Sequence, residues 1–434
     1  MSLRILLVSD HYPPFIGGAH RQTHLLGQEL TQRGHTVKVV TSWQPGLPSN
    51  QLDGKVEVHR LKEVRTLLPA LVKGQEQRHH PPYADPVTVW GLRRLINRFQ
   101  PDVVHAHGWF SYSSALALTG KRTPLLISTR DYGYGCATRT LLHNNAACNG
   151  PALGKCLQCA SQFYGPTRGV LSTLGVLTNR LLLRRKVQGV HSVSRYVQNM
   201  VERDLLGFSG AQLEERGGRI VASVISSFLI QEQKTPDTAF LQALPTQPFI
   251  LFVGGLQPRK GLNTLLDAYQ QLRKAPPLVL IGYETPDTPK SFPAGVIVLR
   301  NAPHANVMAA WERAAFGVMP SLWPDPSPGV VREAMSKGKA VVGTAIGGAS
   351  EMIQDGKTGF LVPPGDAALM ASAMQQLIDD PALCRAFGRA AQASAEQFMA
   401  TVSVPRFEQL YQRLIDGATH ADKLVSIPLM AGRR

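Results

Sequence analysis

The feature that most constrains this chain is a regular alternation of short apolar runs with stretches of helical period, repeated in two separate series. In the first, LRILLVSD is followed by HRQTHLLGQELTQRG, HTVKVVTS, PDVVHAHG and TPLLISTRD. Continuous apolar runs suit strands buried on both faces, and the helical stretches between them supply the crossovers that parallel strands require. The second series runs QPFILFVGG, LNTLLDAYQQLRK, PPLVLIG, AGVIVLR, NVMAAWERAA, FGVMPS, VVREAMSKG, KAVVGTA and GFLVPPGD. The sequence thus predicts two doubly wound α/β domains. Residues 229–247 between them are polar and carry Pro236 and Pro245, which suits a linker. The expected domains are 1–228 and 248–400, with 401–418 as a C-terminal helix packing back on the first. Residues 44–86, rich in proline and bearing His79-His80, read as an irregular insertion.

Hydrophobic residues make up 44% of the 434, enough for two cores, and this composition excludes disorder, collagen and coiled coil. No run approaches the ~18 apolar residues of a bilayer span. The opening run Ile5-Leu6-Leu7-Val8 stops at Asp10, short of a secretory apolar region, so a cytoplasmic location is expected. The net charge of +16 resides almost wholly in the first half: 28 basic against 14 acidic residues up to position 235, and 18 against 16 after it. Residues 151–200 hold seven basic side chains and no acidic one. Such a field attracts an anionic membrane surface or a phosphorylated substrate, unless it is simply a solvated basic face. No nucleic-acid partner is expected, since no helix-turn-helix, RNP or zinc-finger signature accompanies the charges.

Three segments carry chemistry. In SDHYPPFIGGAHRQTHLL, Gly17 and Gly18 stand between the first strand and an amphipathic helix, where bare backbone amides approach a phosphate or a hydroxyl; a plain turn fits equally well. FVGGLQPRKGLNTLL repeats that arrangement with Arg259 and Lys260 at the helix entry, two cations suited to a diphosphate. It lacks the glycine spacing of a dinucleotide fingerprint and the Ser or Thr of a Walker loop. The longest segment is MPSLWPDPSPGVVREAMSKGKAVVGTAIGGASEMIQDGKTGFLVPPGD. Asp325 in its Pro-rich loop and Glu333 in the following helix can face one crevice, where paired carboxylates accept hydrogen bonds from the hydroxyls of a sugar or ribose. Helix capping is the plain alternative for either carboxylate.

Together these segments resemble glycosyltransferase family 4, whose fold is GT-B, two Rossmann-like domains facing a central cleft. The likeness runs through SDHYPPFIGG, PDVVHAHG, SVSRYV, VGGLQPRKG and the long carboxyl-terminal block. It implies a retaining transferase with a nucleotide-sugar donor, UDP- or GDP-linked, on the second domain and a lipid-linked or saccharide acceptor on the first. By matched position, Glu333 holds the ribose hydroxyls and Asp325 those of the transferred sugar. Lys260, helped by Arg259, stabilises the departing diphosphate. Gly17 and Gly18 lie against the diphosphate and sugar, and His107 near the reacting carbon. The leaving phosphate itself takes the acceptor's proton. No Asp-x-Asp motif is present, so no catalytic metal is expected.

The chain departs from the family pattern at three places. Gly255 stands where an arginine is usual five residues before the lysine, and Asp325 where a glutamate is usual. Pro326 and Pro328 lack N–H donors, which leaves the amides of Ser327 and Gly329 for sugar or phosphate. A non-catalytic GT-B scaffold and, more distantly, a nucleotide-sugar epimerase are therefore the alternatives. Cys136-x11-Cys148-x7-Cys156-x2-Cys159, within an insertion over 132–165, suits a structural zinc; free or oxidised thiols are the alternative. The stretch from Arg168 to Lys186 reads either as a helix lying on an anionic membrane or as a core helix.

Overall fold

In the computed structural model the described residues are 2–14, 18–67, 80–144, 146–207, 220–230 and 235–425. They build two parallel sheets. The first has the order Val221–Val224, Gly189–Ser192, Leu125–Thr129, Val103–His107, Arg4–Val8, Thr36–Ser42, Val56–Leu61 and Asn50–Asp53, with only the last strand antiparallel. The second runs Val296–Arg300, Leu278–Gly282, Ile250–Val253, Phe316–Met319, Val341–Thr344 and Gly359–Val362, all parallel.

The central strands are buried on both faces, and alternate side chains enter different cores. Leu6 and Val8 join a cluster under helices Pro86–Phe99, Phe110–Ala117 and Pro166–Lys186. Ile5 and Leu7 join one under helix Gly18–Gln32 and the last helix, Ala400–Val425. The second sheet splits in the same way, Ile250 and Phe252 to one face, Phe249 and Leu251 to the other.

The last helix leaves the second sheet and docks Phe407, Tyr411 and Leu414 on the first. A buried polar chain fixes it there. Tyr411 Oη, His105, Ser128 Oγ, His191 and the carbonyl of Ile225 follow one another at 2.8, 2.6, 2.6 and 2.7 Å. A carbonyl can only accept, so His191 Nε2 donates to it, Ser128 donates to His191 Nδ1, His105 Nε2 donates to Ser128, and Tyr411 donates to His105 Nδ1. Every member is satisfied with both histidines neutral.

One expectation fails here. Residues 44–86 are not an irregular insertion throughout, since Asn50–Asp53 and Val56–Leu61 extend the first sheet. Val56 and Val58 are fully buried in a strand, VEVHRL, whose other residues are polar except Leu61, too few apolar positions to stand out from the prolines around them.

Candidate active site

In both sheets the chain runs outward from a central strand to one side and then returns to the other, leaving a crevice at the carboxyl ends where α/β sheets bind ligands. In the second sheet that strand is Ile250–Val253, between Leu278–Gly282 and Phe316–Met319. Beyond it the chain turns through Gly254 and Gly255 into a single 3-10 turn, Pro258–Lys260. Gly261 follows at φ 77°, and a Cβ there would lie 1.7 Å from the carbonyl oxygen of Pro320. Only glycine allows this approach, which sets Lys260 beside the loop after Phe316–Met319.

Lys260 Nζ donates to Asp325 Oδ2 at 2.7 Å and lies 5.1 Å from the ring centre of Trp323. The Asp325 loop is braced from behind by the second glycine pair: Gly348 N donates to Asp325 O at 2.7 Å, and a Cβ on Gly348 would meet Pro326 O at 2.3 Å. Ser327 and Gly329 lead into helix Gly329–Ser336, which carries Arg332 and Glu333. Glu333 Oε1 lies 3.1 Å from His304 Nε2, and His304 Nδ1 lies 3.1 Å from Arg21 Nη2 of the first domain. Burial opposes ionisation of Glu333, but the His304 hydrogen bond, with the charges of His304, Arg21 and Arg332, outweighs it and holds the carboxyl below its usual range.

Two adjoining cavities result. One, of about 360 Å³, is walled by Arg130, Asp131 and Ser227 of the first domain and by Gly254, Lys260, Trp323, Asp325, Ser327, Gly329 and Arg332 of the second. The other, of about 520 Å³, takes in Arg21, Gln22, Phe228, His304, Glu333 and Lys337, and shares Gly329 and Arg332 with the first. The domains also touch directly: Tyr132 Oη donates to Pro324 O at 2.6 Å, and Glu351 accepts from the amides of Arg195 and Tyr196 at 2.9 and 2.6 Å. Glu351 thereby caps the first turn of helix Arg195–Val201 from the opposite domain.

Of the residues expected at the site, Lys260, Asp325, Ser327 and Gly329 share one cavity and Glu333 lines its neighbour. Arg259 does not join them. Its guanidinium lies 5.7 Å from the Trp323 ring centre, its Nε donates to Gln257, and it walls neither cavity. Nor is there room at Gly255 for a side chain in the present packing, since a Cβ would meet Gln257 Nε2 at 2.6 Å and the Tyr283 ring at 2.8 Å. His107 is buried behind Arg130, its Nδ1 accepting from Arg130 Nε at 3.4 Å. Gly18 opens its helix, and Gly17 lies outside the described residues. Arg130, Arg332, His304 and Arg21 were not singled out from the sequence. Only the position of Arg332 next to Glu333 could have marked one of them.

The structure does not show the expected zinc set. Among the described residues no group of three or more His, Cys, Asp or Glu side chains could hold a metal ion. Cys136 Sγ meets Thr138 Oγ1 at 3.2 Å, Cys148 Sγ meets Gly150 O at 3.5 Å, and Cys159 Sγ meets Leu142 O at 3.7 Å. Burial, reinforced by the neighbouring cysteines, raises the pKa of Cys156 and Cys159. The insertion is anchored otherwise: Arg139 Nε donates to Asp131 Oδ2 at 3.0 Å, and its Nη1 lies 3.6 Å from Asp10 Oδ2.

Comparison with known proteins adds the following. The model of Glycosyltransferase Family 4 matches residues 16–210, and that of Glycosyl transferases group 1 matches 247–380. The chain is 26% identical over 420 residues to a glycogen synthase of Mycobacterium tuberculosis, covering 90% of this chain and 89% of that one. It is 34% identical over 176 residues to a D-inositol 3-phosphate glycosyltransferase of Streptomyces avermitilis, 36% of this chain and 38% of the relative. Among solved structures, sucrose-phosphate synthase of Thermosynechococcus elongatus superposes with a TM-score of 0.71 at 19% identity, over 96% of this chain and all of that one. HepE of Anabaena in complex with UDP-glucose gives 0.63 at 17% identity, over 95% of this chain and all of that one. These structures share the two-domain GT-B fold.

Proposed function

We propose that this chain, a glycosyltransferase of GT-B type, moves a sugar with retention from a UDP- or GDP-linked donor to a hydroxyl of a lipid-linked or saccharide acceptor, in the assembly of cell-surface polysaccharide or glycolipid. The observation that carries this reading is the Lys260–Asp325 pair at 2.7 Å, beside Ser327 and Gly329 in an interdomain cavity whose neighbour holds Glu333. Glu333, held ionised, accepts from the ribose hydroxyls, and Asp325 from a hydroxyl of the transferred sugar. Lys260 and the amides of Ser327 and Gly329 face the diphosphate. The bond from the anomeric carbon to phosphate oxygen breaks as the bond to the acceptor oxygen forms on the same face, and the acceptor's proton passes to the leaving phosphate. A diphosphate is a good leaving group once its charge is met, so no carboxylic acid and no divalent metal is required. The UDP-glucose bound by the Anabaena relative supports a sugar nucleotide as donor.

For the acceptor, the supporting observation is a helical hairpin, Leu153–Tyr164 and Pro166–Lys186. It exposes Phe163, Val170, Leu171, Leu174 and Leu181 within a stretch rich in cations. Such a surface suits anionic headgroups and an acceptor presented at a membrane. No helix among the described residues is long and apolar enough to cross one.

The glycine at position 255, where the resemblance expects a cation, favours a second reading, a GT-B scaffold without turnover. Thermal shift of the EDTA-treated protein with UDP, GDP, ADP, CMP and dTDP and their sugar conjugates separates the two. A ligand at a hundredfold excess over Kd stabilises by about 2.7 kcal/mol. The transferase reading expects a shift from one nucleotide family and hydrolysis or transfer of its sugar. Binding without turnover sinks catalysis and favours the scaffold, and no shift from any nucleotide overturns the donor site.

A further inference from the structure

The cavity that holds Lys260 contains more positive charge than the expected site accounts for. Lys260 itself is paired with Asp325. Arg130 and Arg332 face the same space from opposite domains. Neither makes a salt bridge to a carboxylate among the described residues, although Glu333 and Asp325 act on Arg332 electrostatically. Arg332 is 5% exposed; its Nη1 donates to Ser327 Oγ at 2.6 Å, and its buried Nε has no hydrogen-bond partner. Among the described residues Arg130 donates to two neutral groups, His107 Nδ1 and Ser227 Oγ, the latter at 3.1 Å. Burial pushes both guanidinium pKa values down to about 10, with Arg332 adding to the effect on Arg130, so both remain charged at neutral pH. Arg130, desolvated and with no carboxylate acting on it among the described residues, costs the folded chain stability.

We propose that Arg130 and Arg332 form a two-guanidinium phosphate site across the domain interface, one arginine from each domain, taking the place of the cation absent at Gly255. The fork geometry of two guanidiniums suits phosphate oxygens better than a lone ammonium does. Anchoring of Arg332 on Ser327 sets its charge beside the amides that face the donor. The same chemistry could come from the donor's diphosphate or from a phosphate on the acceptor. The inference deepens the glycosyl-transfer reading and rests on it for the donor's identity.

Calorimetric titration of the full chain with UDP, GDP, the matching nucleosides and inorganic phosphate tests it, using wild type, Arg130→Gln and Arg332→Gln. If the site serves the donor, each substitution weakens the bound nucleoside diphosphate at least tenfold and leaves the nucleoside unchanged. If it serves the acceptor, nucleoside diphosphate binding stays and inorganic phosphate binding to the UDP- or GDP-saturated protein is lost. In either case ligand-free Arg130→Gln melts no lower than wild type, because a repulsion with Arg332 has been removed; an arginine with a purely structural role would lower the melting temperature and spare phosphate. Should Arg332→Gln fail to fold, Arg332→Lys keeps the charge without the fork and is expected to bind phosphate at intermediate strength. Unchanged affinity for both ligands in the folded variants overturns the proposal, as does a wild type that binds neither. A wild type that binds phosphate but no nucleotide, and loses phosphate on substitution, keeps the site and sinks the donor reading instead.

Discussion

Lys260 and Asp325 neutralise one another at 2.7 Å, so each is preset for a partner of opposite polarity that a ligand would supply. Lys260→Ala removes charge from the leaving group only as it departs, and is expected to lower kcat by roughly 100- to 1,000-fold with little change in donor affinity. Glu333→Ala removes hydrogen bonds already made in the ground state and should weaken donor binding by roughly 2 kcal/mol. Steady-state kinetics with the donor found by thermal shift checks both, and full activity in either variant overturns the role assigned to it. The sequence marked these residues because their spacing about a strand, a turn and a helix is a local property. It could not rank Arg259 against Arg332. Arg259 sits beside Lys260 in the chain yet turns onto Trp323, whereas Arg332 reaches the cavity from a helix more than seventy residues on.

Among the elements, the hairpin of Leu153–Tyr164 and Pro166–Lys186 has a buried face and an exposed apolar face, where the sequence left a core helix and a membrane-lying helix as alternatives. Gly169, Thr173, Val176 and Leu183 form its buried stripe, and a Cβ on Gly169 would meet Ser161 N at 2.3 Å, so the two helices touch backbone to backbone. Leu171, Leu174 and Leu181 face outward, with Arg185 exposed on the same side. The protein is therefore expected to sediment with vesicles containing phosphatidylglycerol and to be released by high salt. Leu171→Asp together with Leu181→Asp should reduce binding several-fold without loss of stability, since both side chains are already in water. Equal sedimentation of wild type and variant, or none with wild type, sinks the membrane reading. Helical period predicted the helix here, but an element apolar on more than one side does not reveal which side is covered.

Over the whole molecule, the polar chain from Tyr411 to Ile225 ties the last helix to the first sheet and makes stability depend on pH. Burial, aided by Arg130, lowers the pKa of His191 to about 3, and burial likewise lowers that of His105. The unfolded chain takes up a proton on each histidine near pH 6.5 that the folded chain refuses, so stability falls as pH drops from about 6.5 toward 3. For His191 the loss between pH 6.5 and pH 5 is roughly 2 kcal/mol at 1.36 kcal/mol per unit. Melting curves of wild type and His191→Asn should diverge in slope over that range, and parallel curves would contradict the linkage. The amino-acid sequence by itself determined the two parallel sheets, their helical crossovers and the segments that form the cleft, because burial on both faces and turn chemistry are written in neighbouring residues. Only the tertiary structure decided which cations face the cavity, where the four cysteines lie, and that residues 50–61 extend a sheet. Each of those depends on where distant side chains meet, and the desolvation and pairing that follow have no signature in local order.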